Sequence, residues 1–475
     1  MRRAGPPFVF ALVLGAAMTA AGQEPFVRLM TLDPGHFHAA LIQKEMYPGV
    51  DPTVHVFAPV GPDLLLHLGR VTAFNRRPER PTAWRLEVHA GPDFLERMLR
   101  EKAGNVVVLS GRNRGKIDRI LAAVEAGLHV LADKPWLISA ADFPKLERAL
   151  LVAEQKRLVA YDVMTERSEI TTILQRELAQ DARVAGTIGP GRPAEPAIEM
   201  ESVHHILKLV AGAPNLRPAW FFDTNEQGEA LSDVATHLVD LVPWMLFRGQ
   251  AIDHAEETRV LSARRWPTVL SGDELRRVTG LKQLPADLSG PMRADRLDYF
   301  ANGETSYTVR GVHARVKLLW NYEAPAGAGD THTGVVRGSL ARIEVLQGPE
   351  QKWVPELYVV PNRAAEAPAI KTALVACIAR LASDRPGLAV IDEGTHLRVS
   401  IPERYRVGHE AHFAEVTERF LGYLKDPGSL PKWEKANMLA KYGVTTEAVE
   451  LSRRSAGDGP EGNGPGAATA TRTAR

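Results

Sequence analysis

The chain has 475 residues, 45% of them hydrophobic and 24% charged, the composition of a globular protein with a substantial core. Lys and Arg number 58 against 57 Asp and Glu, a balance with neither the basic surplus of a nucleic-acid binder nor the run of an acidic tail. Cys377 is the only cysteine, so no intramolecular disulfide can form, and its apolar helical setting TALVACIARLA marks a buried thiol.

At the N-terminus, basic MRR precedes an apolar run at Phe8–Ala21 and small residues at 20–22. This pattern predicts a signal peptide over 1–22 and an exported, periplasmic protein. No later run of 18 apolar residues exists, so no stable membrane span is expected.

Residues 23–162 alternate short β-branched runs with helical stretches. Strands are expected at Val27–Leu32, Thr53–Phe57, Arg85–His89, Val106–Ser110, His129–Ala132 and Leu158–Tyr161. Helices are expected at 37–46, 115–127 and Ala140–Lys156, while the Pro- and Arg-rich stretch 59–83 reads as an irregular excursion. Continuous apolar strands joined by helices predict an α/β fold, a doubly wound parallel sheet. Over 163–452 the pattern changes to helices at Ser168–Asp181, Leu231–Phe247, Ile370–Ala382 and His409–Leu424, with alternating strands such as GVHARVKLLWNYEA and ELYVVP. This predicts an α+β domain with an open, mainly antiparallel sheet. The Gly-, Ala-, Pro- and Thr-rich segment 453–475 is expected to be disordered.

In an open parallel sheet, ligands bind beyond the C-terminal strand ends. Three such ends carry LDPGHFHA (32–39), SGRNRGK (110–116) and ADKPW (132–136). The first stands where a dinucleotide fold carries GxGxxG, but only Gly35 survives; Asp33 and His38 occupy the outer positions. The third holds Lys134 where its ammonium can reach across the strand ends. In the second domain, GEALSDVATHLVDLVPWML places Asp233, His237 and Asp240 on one helix face. A carboxylate one turn from an imidazole can orient it as a general base. HEAH (409–412) with Glu415 lacks the i,i+4 histidine spacing of zinc-hydrolase helices, and reads as a helix start near the cleft rather than a metal site. His204 and His205 in ESVHHILKLV point different ways, and His204 is the one assigned to the substrate.

HVLADKPW resembles the Glu-Lys-Pro segment of the Gfo/Idh/MocA oxidoreductases, with Asp133 in place of glutamate. GEALSDVATHLVDL is similar to that family's Asp-x-x-x-His segment, and Asn113 falls at its usual asparagine. The resemblance covers roughly 26–450 and extends, through RPAWFFD, THTGVVRGSLARIEVLQG and GHEAHFAEV, to a secreted branch with its own C-terminal domain. It implies a Rossmann domain that binds NAD or NADP through Gly35, His36, Phe37, His38, Ser110, Asn113, Asp133 and Lys134. Lys134, Asp233 and His237 would be the catalytic set, and the C-terminal sheet would mediate homo-oligomerisation. The implied substrate is a sugar or glycoside, with Glu166, Arg167, Trp220 and His332 as further pocket residues. The expected reaction is oxidation of a secondary hydroxyl, with a 3-keto-glycoside as one product and a tightly held cofactor to suit an exported enzyme. Two other readings stand beside it. One is redox-neutral, dinucleotide-dependent glycoside cleavage; the other is a sugar-binding module that has lost its cofactor, favoured by the eroded glycine fingerprint.

Overall fold

The computed structural model describes residues 26–457 except 211–212, 215, 286–287 and 289–291. The expected signal peptide therefore lies outside the described residues. Strands β1 (Leu29–Leu32), β2 (Thr53–Ala58), β3 (Arg85–Ala90), β4 (Val106–Leu109), β5 (His129–Asp133) and β6 (Ala160–Val163) form one parallel sheet in the order β3-β2-β1-β4-β5-β6. β1, β4 and β6 are buried along their whole length, as strands covered on both faces must be. The strand order reverses between β1 and β4, the switch point at which a ligand crevice opens.

Helices α1 (His38–Leu41), α2 (Pro62–Arg76), α3 (Phe94–Glu101), α4 (Lys116–Glu125) and α5 (Phe143–Gln155) connect these strands. Two expectations fail here. Most of the stretch 59–83 is helical, since Gly61 and Pro62 start α2 and Arg77, extended before Pro78, ends it; 77–83 remains irregular. The helix expected over 37–46 is a single turn, and the apolar surface of Ala40, Leu41 and Ile42 is covered from elsewhere in the chain.

The second domain runs through α6 (Ile170–Ala179), a small hairpin β7–β8 (Gly191–Arg192 and Glu195–Pro196), β9 (Ile198–Leu207) and a second small hairpin β10–β11 (Leu209–Val210 and Ala213–Pro214). There follow α7 (Thr224–Gln227), α8 (Ala235–Leu246), β12 (Thr258–Ser271), α9 (Gly272–Thr279), β13 (Arg296–Val309), β14 (Val312–Glu323), β15 (Thr331–Arg337), β16 (Ala341–Leu346) and β17 (Glu356–Pro361). The chain ends with α10 (Ala367–Leu381), β18 (Ala389–Asp392), β19 (Leu397–Ser400), α11 (His409–Lys425) and α12 (Glu434–Gly457). The nine-stranded sheet has the order β12-β13-β14-β9-β15-β16-β17-β19-β18, and its one parallel pair is β14–β9. Burial alternates along β14 and β16. The inner face packs Ile198, Met200, Val316 and Ile343 against Leu174, Leu238 and Leu374 of the helices. The outer face carries paired charges such as Lys317–Glu201 at 2.7 Å and Arg337–Glu199 at 3.1 Å.

The last two helices return to the first domain. Phe413, Val416 and Phe420 of α11 cover the short α1, while Met438 and Tyr442 of α12 join the core on the opposite face of the parallel sheet. α12 extends to Gly457, so the first five residues of the segment expected to be disordered are helical; 458–475 lie outside the described residues. Among the described residues, no helix is long and apolar enough to cross a membrane.

Candidate active site

β5 ends at Asp133, and the next residue, Lys134, leaves the sheet beside the switch point. Its ammonium donates to Asp233 Oδ1 at 2.6 Å, with the two side chains only 9% and 7% exposed. Asp233 stands just before α8, on a loop that starts at Gly228. That glycine has φ +94°, and a Cβ there would come within 2.7 Å of Ile138, so close packing and left-handed backbone together require it. His237, one turn beyond Asp233, is 8% exposed and its Nδ1 has no hydrogen-bond partner. Burial, reinforced by the Lys134 ammonium, holds its pKa well below the ordinary imidazole value, so the ring is neutral at pH 7. Lys134, Asp233 and His237 thus lie together, buried, where the two domains meet.

Their division of labour differs from expectation. Asp233 does not orient the imidazole. Its second oxygen accepts from Gln227 Nε2 at 2.9 Å, so the carboxylate holds the lysine. Gln227 was not singled out in the sequence; a glutamine ending a one-turn helix carries no signature there.

The turn after β1 lies over the end of β4. A Cβ at Gly111 would come within 2.2 Å of the Asp33 carbonyl, and one at Gly35 within 3.1 Å of both Trp220 and Asp63. Both glycines let the turn pack closely against the end of β4 and under Trp220, at the switch point where a dinucleotide fold places its cofactor. At the other end of the crevice, Lys134 and the unpartnered His237 fit the reacting end of such a cofactor. Around this frame the expected cofactor residues are strongly tied to protein. Ser110 donates to Asp133 Oδ2 at 2.7 Å, and Lys116 donates to Oδ1 at 2.6 Å. His38 Nδ1 lies 3.0 Å and His36 Nδ1 3.5 Å from Asp133 Oδ2. Burial opposes ionisation of Asp133, yet Lys116 and the two histidines hold its pKa well below the carboxylate range. Phe37 packs its ring edge on His38. Asn113 donates its side-chain amide to the Gln227 carbonyl at 2.7 Å and its backbone N–H to the Glu226 carbonyl, tying the β4 end to the second domain. β2 ends at Ala58 with no acid at its tip, and the next carboxylate, Asp63, accepts from the Trp220 indole at 2.9 Å.

The residues assigned to the sugar separate into two groups. Glu166 and His204 lie where the Lys134 charge reaches them. Burial first, then the neighbouring Glu169, raises Glu166 to about 7, so this carboxyl is partly protonated at neutral pH. His204 stacks on Trp320, and its Nδ1 is 2.9 Å from Asp330. His332 has a buried, unpartnered Nε2, and burial lowers it to about 4. Arg167 is not in this group. Its guanidinium, 4% exposed, is clamped by Asp240 at 2.6 Å and Glu434 at 2.8 Å, which leaves it no reach toward a sugar. Trp220 belongs with the dinucleotide turn rather than the sugar end, since it covers Gly35 and lies under Arg112. His409, at the start of α11, has its ring 5.4 Å from that of His38, which puts this helix start at the cleft.

A Rossmann domain whose strand-end lysine meets an Asp and a His from a second, mainly antiparallel domain has the architecture of the Gfo/Idh/MocA oxidoreductases. The family model described as "Putative oxidoreductase C terminal domain" matches residues 174–453, and the chain belongs to that family. It is similar to a "putative oxidoreductase" from Parabacteroides merdae ATCC 43184, with 47% identity, a TM-score of 0.89, and coverage of 91% of this chain and 99% of that one. Levoglucosan dehydrogenase in complex with NADH shares the fold at 13% identity and a TM-score of 0.56, over 90% of this chain and 97% of that one. GenD2 from gentamicin A biosynthesis, in complex with NAD, does so at 17% identity and a TM-score of 0.54, over 92% and 97%. No match was found among curated proteins.

Proposed function

We propose that this oxidoreductase is an NAD- or NADP-dependent dehydrogenase acting on a secondary hydroxyl of a sugar or glycoside. The observation that carries this reading is the buried Lys134–Asp233 pair beside a neutral, unpartnered His237 at the switch point. His237 accepts the hydroxyl proton, for which a free imidazole lone pair is required. Lys134 donates to the same oxygen as negative charge develops on it, and Asp233 keeps the ammonium in place. Gly35, Ser110 and Lys134 would hold the dinucleotide, which supplies the hydride acceptor when bound. Levoglucosan dehydrogenase in complex with NADH and GenD2 in complex with NAD, which share the fold, support a nicotinamide dinucleotide as the cofactor.

Glu166 favours a second reading. A carboxyl with a pKa of about 7 near Lys134 can protonate a leaving group, as redox-neutral glycoside cleavage through a 3-keto-glycoside would need. We further propose export, supported by the basic and apolar segments at 1–22, with self-association through the outer face of the nine-stranded sheet. Denaturing the purified protein and reading the released small molecules by ultraviolet absorption and mass tests the cofactor. Recovery of NAD or NADP is expected. A dinucleotide-free protein whose melting temperature ignores added NAD and NADP would leave only the sugar-binding reading.

A further inference from the structure

His36 and His38 stand on the turn after β1, and Asp133 ends β5. Their three nearest ligand atoms all lie within 4.8 Å of one another. From Asp133 Oδ2 the spacings are 3.0 Å to His38 Nδ1 and 3.5 Å to His36 Nδ1. Metal–ligand bonds of about 2.1 Å at octahedral or tetrahedral angles separate neighbouring ligand atoms by roughly 3.0–3.4 Å. The His38 spacing falls in this range and the His36 spacing lies about 0.1 Å beyond it, close to what ligands around a single ion require.

Two further features fit this arrangement. His36 Nδ1 is buried and has no hydrogen-bond partner. Asp133 is fixed by Ser110 and Lys116, much as ligating carboxylates are held by an outer ring of donors.

We propose that His36, His38 and Asp133 form a binding site for one divalent transition-metal ion of the zinc class. Two imidazoles and one carboxylate suit zinc, cobalt or nickel. The Lys116 ammonium on the same carboxylate disfavours calcium and magnesium, which depend on carboxylate charge. Three protein ligands leave a coordination position for an oxygen from the cleft. A cation here also places positive charge on the turn that lacks two of the three fingerprint glycines. His36, His38 and Asp133 are among the residues first expected at the dinucleotide, but none belongs to the Lys134, Asp233 and His237 set, and metal binding is read without turnover.

The probes are zinc and cobalt ions, added to the chelator-treated full chain. Zinc binding is measured by calorimetry, and cobalt binding by its visible absorption. A second cluster, His55, Glu87 and His89, serves as the internal control for adventitious binding. One ion per chain is expected, with affinity falling at least about tenfold in both His36→Ala and His38→Ala and unchanged in His89→Ala. Circular dichroism checks the fold, and two independent ligand variants guard against one of them misfolding. Absence of stoichiometric binding, binding that survives both ligand variants, or loss in His89→Ala alone would overturn the site. Dinucleotide content is measured separately on untreated protein, so a missing cofactor counts against the dehydrogenase and leaves this result standing.

Discussion

Lys134→Met separates the structural role of the Lys134–Asp233 pair from its chemical one. The ion pair is 2.6 Å long, with side chains 9% and 7% exposed. Removing the lysine leaves Asp233 buried with Gln227 as its remaining hydrogen-bond donor. An uncompensated buried charge of this kind costs about 3–5 kcal/mol, and the surviving Gln227 contact argues for the lower end. Adding Asp233→Asn removes the stranded charge, so the double variant is expected to return to within about 1 kcal/mol of the parent. Turnover follows a different rule. A missing donor to the developing oxyanion lowers kcat by about 10²–10³, and removing the charge on Asp233 does not restore it. Urea unfolding followed by tryptophan fluorescence gives the stabilities, and hydride transfer at saturating cofactor gives kcat. A double variant that regained both stability and turnover would reduce Lys134 to a structural lysine and defeat the mechanism.

Trp220→Ala should uncover the Gly35 turn and release Asp63 from the indole, so that bound dinucleotide leaves faster; cofactor remaining after extended dialysis reads this, and retention equal to the parent's would reject the cover. Glu166 gives a pH-dependent test. Its folded pKa is raised to about 7 from 4.5, so between those values the unfolded chain ionises while the folded one stays protonated, and stability falls as pH rises through that window. The full shift corresponds to about 3 kcal/mol, and partial exposure reduces it. In Glu166→Gln the fall in melting temperature between pH 5 and 8 should flatten, and an unchanged slope would disprove the burial argument.

The strand–helix alternation of the first domain was legible because buried parallel strands must be continuously apolar, and all six expected strands occur within a few residues. The short α1 was not legible. The apolar positions that suggested a longer helix in FHAALIQKEM are real, but they answer to α11, some 370 residues later, and no local period records that. α2 was missed for a different reason, because the prolines and arginines of 59–83 outweighed the start signal at Gly61–Pro62. In the site, Lys134, Asp233 and His237 could be assembled because each carries a short local pattern. Arg167 was misassigned because a buried ion cluster leaves no such pattern: its partners Asp240 and Glu434 are 73 and 267 residues away. The His36–His38–Asp133 group has the same character, its parts brought together by strand order rather than by spacing.

The cleft is set from behind by one helix. Tyr442 of α12 accepts the Trp136 backbone N–H at 3.0 Å, two residues past Lys134, and donates to Asp162 at 2.6 Å. Beside it, Lys441, fully buried, bridges Asp162 at the end of β6 to Asp240, one turn beyond His237. Burial disfavours every charge in this cluster, yet Arg167 and Lys441 hold Asp240 ionised. The segment carrying Lys134 and the helix carrying His237 are therefore anchored to the same side chains, and their separation is fixed before any substrate arrives. Such a site need not spend substrate binding energy on assembling its donor and acceptor.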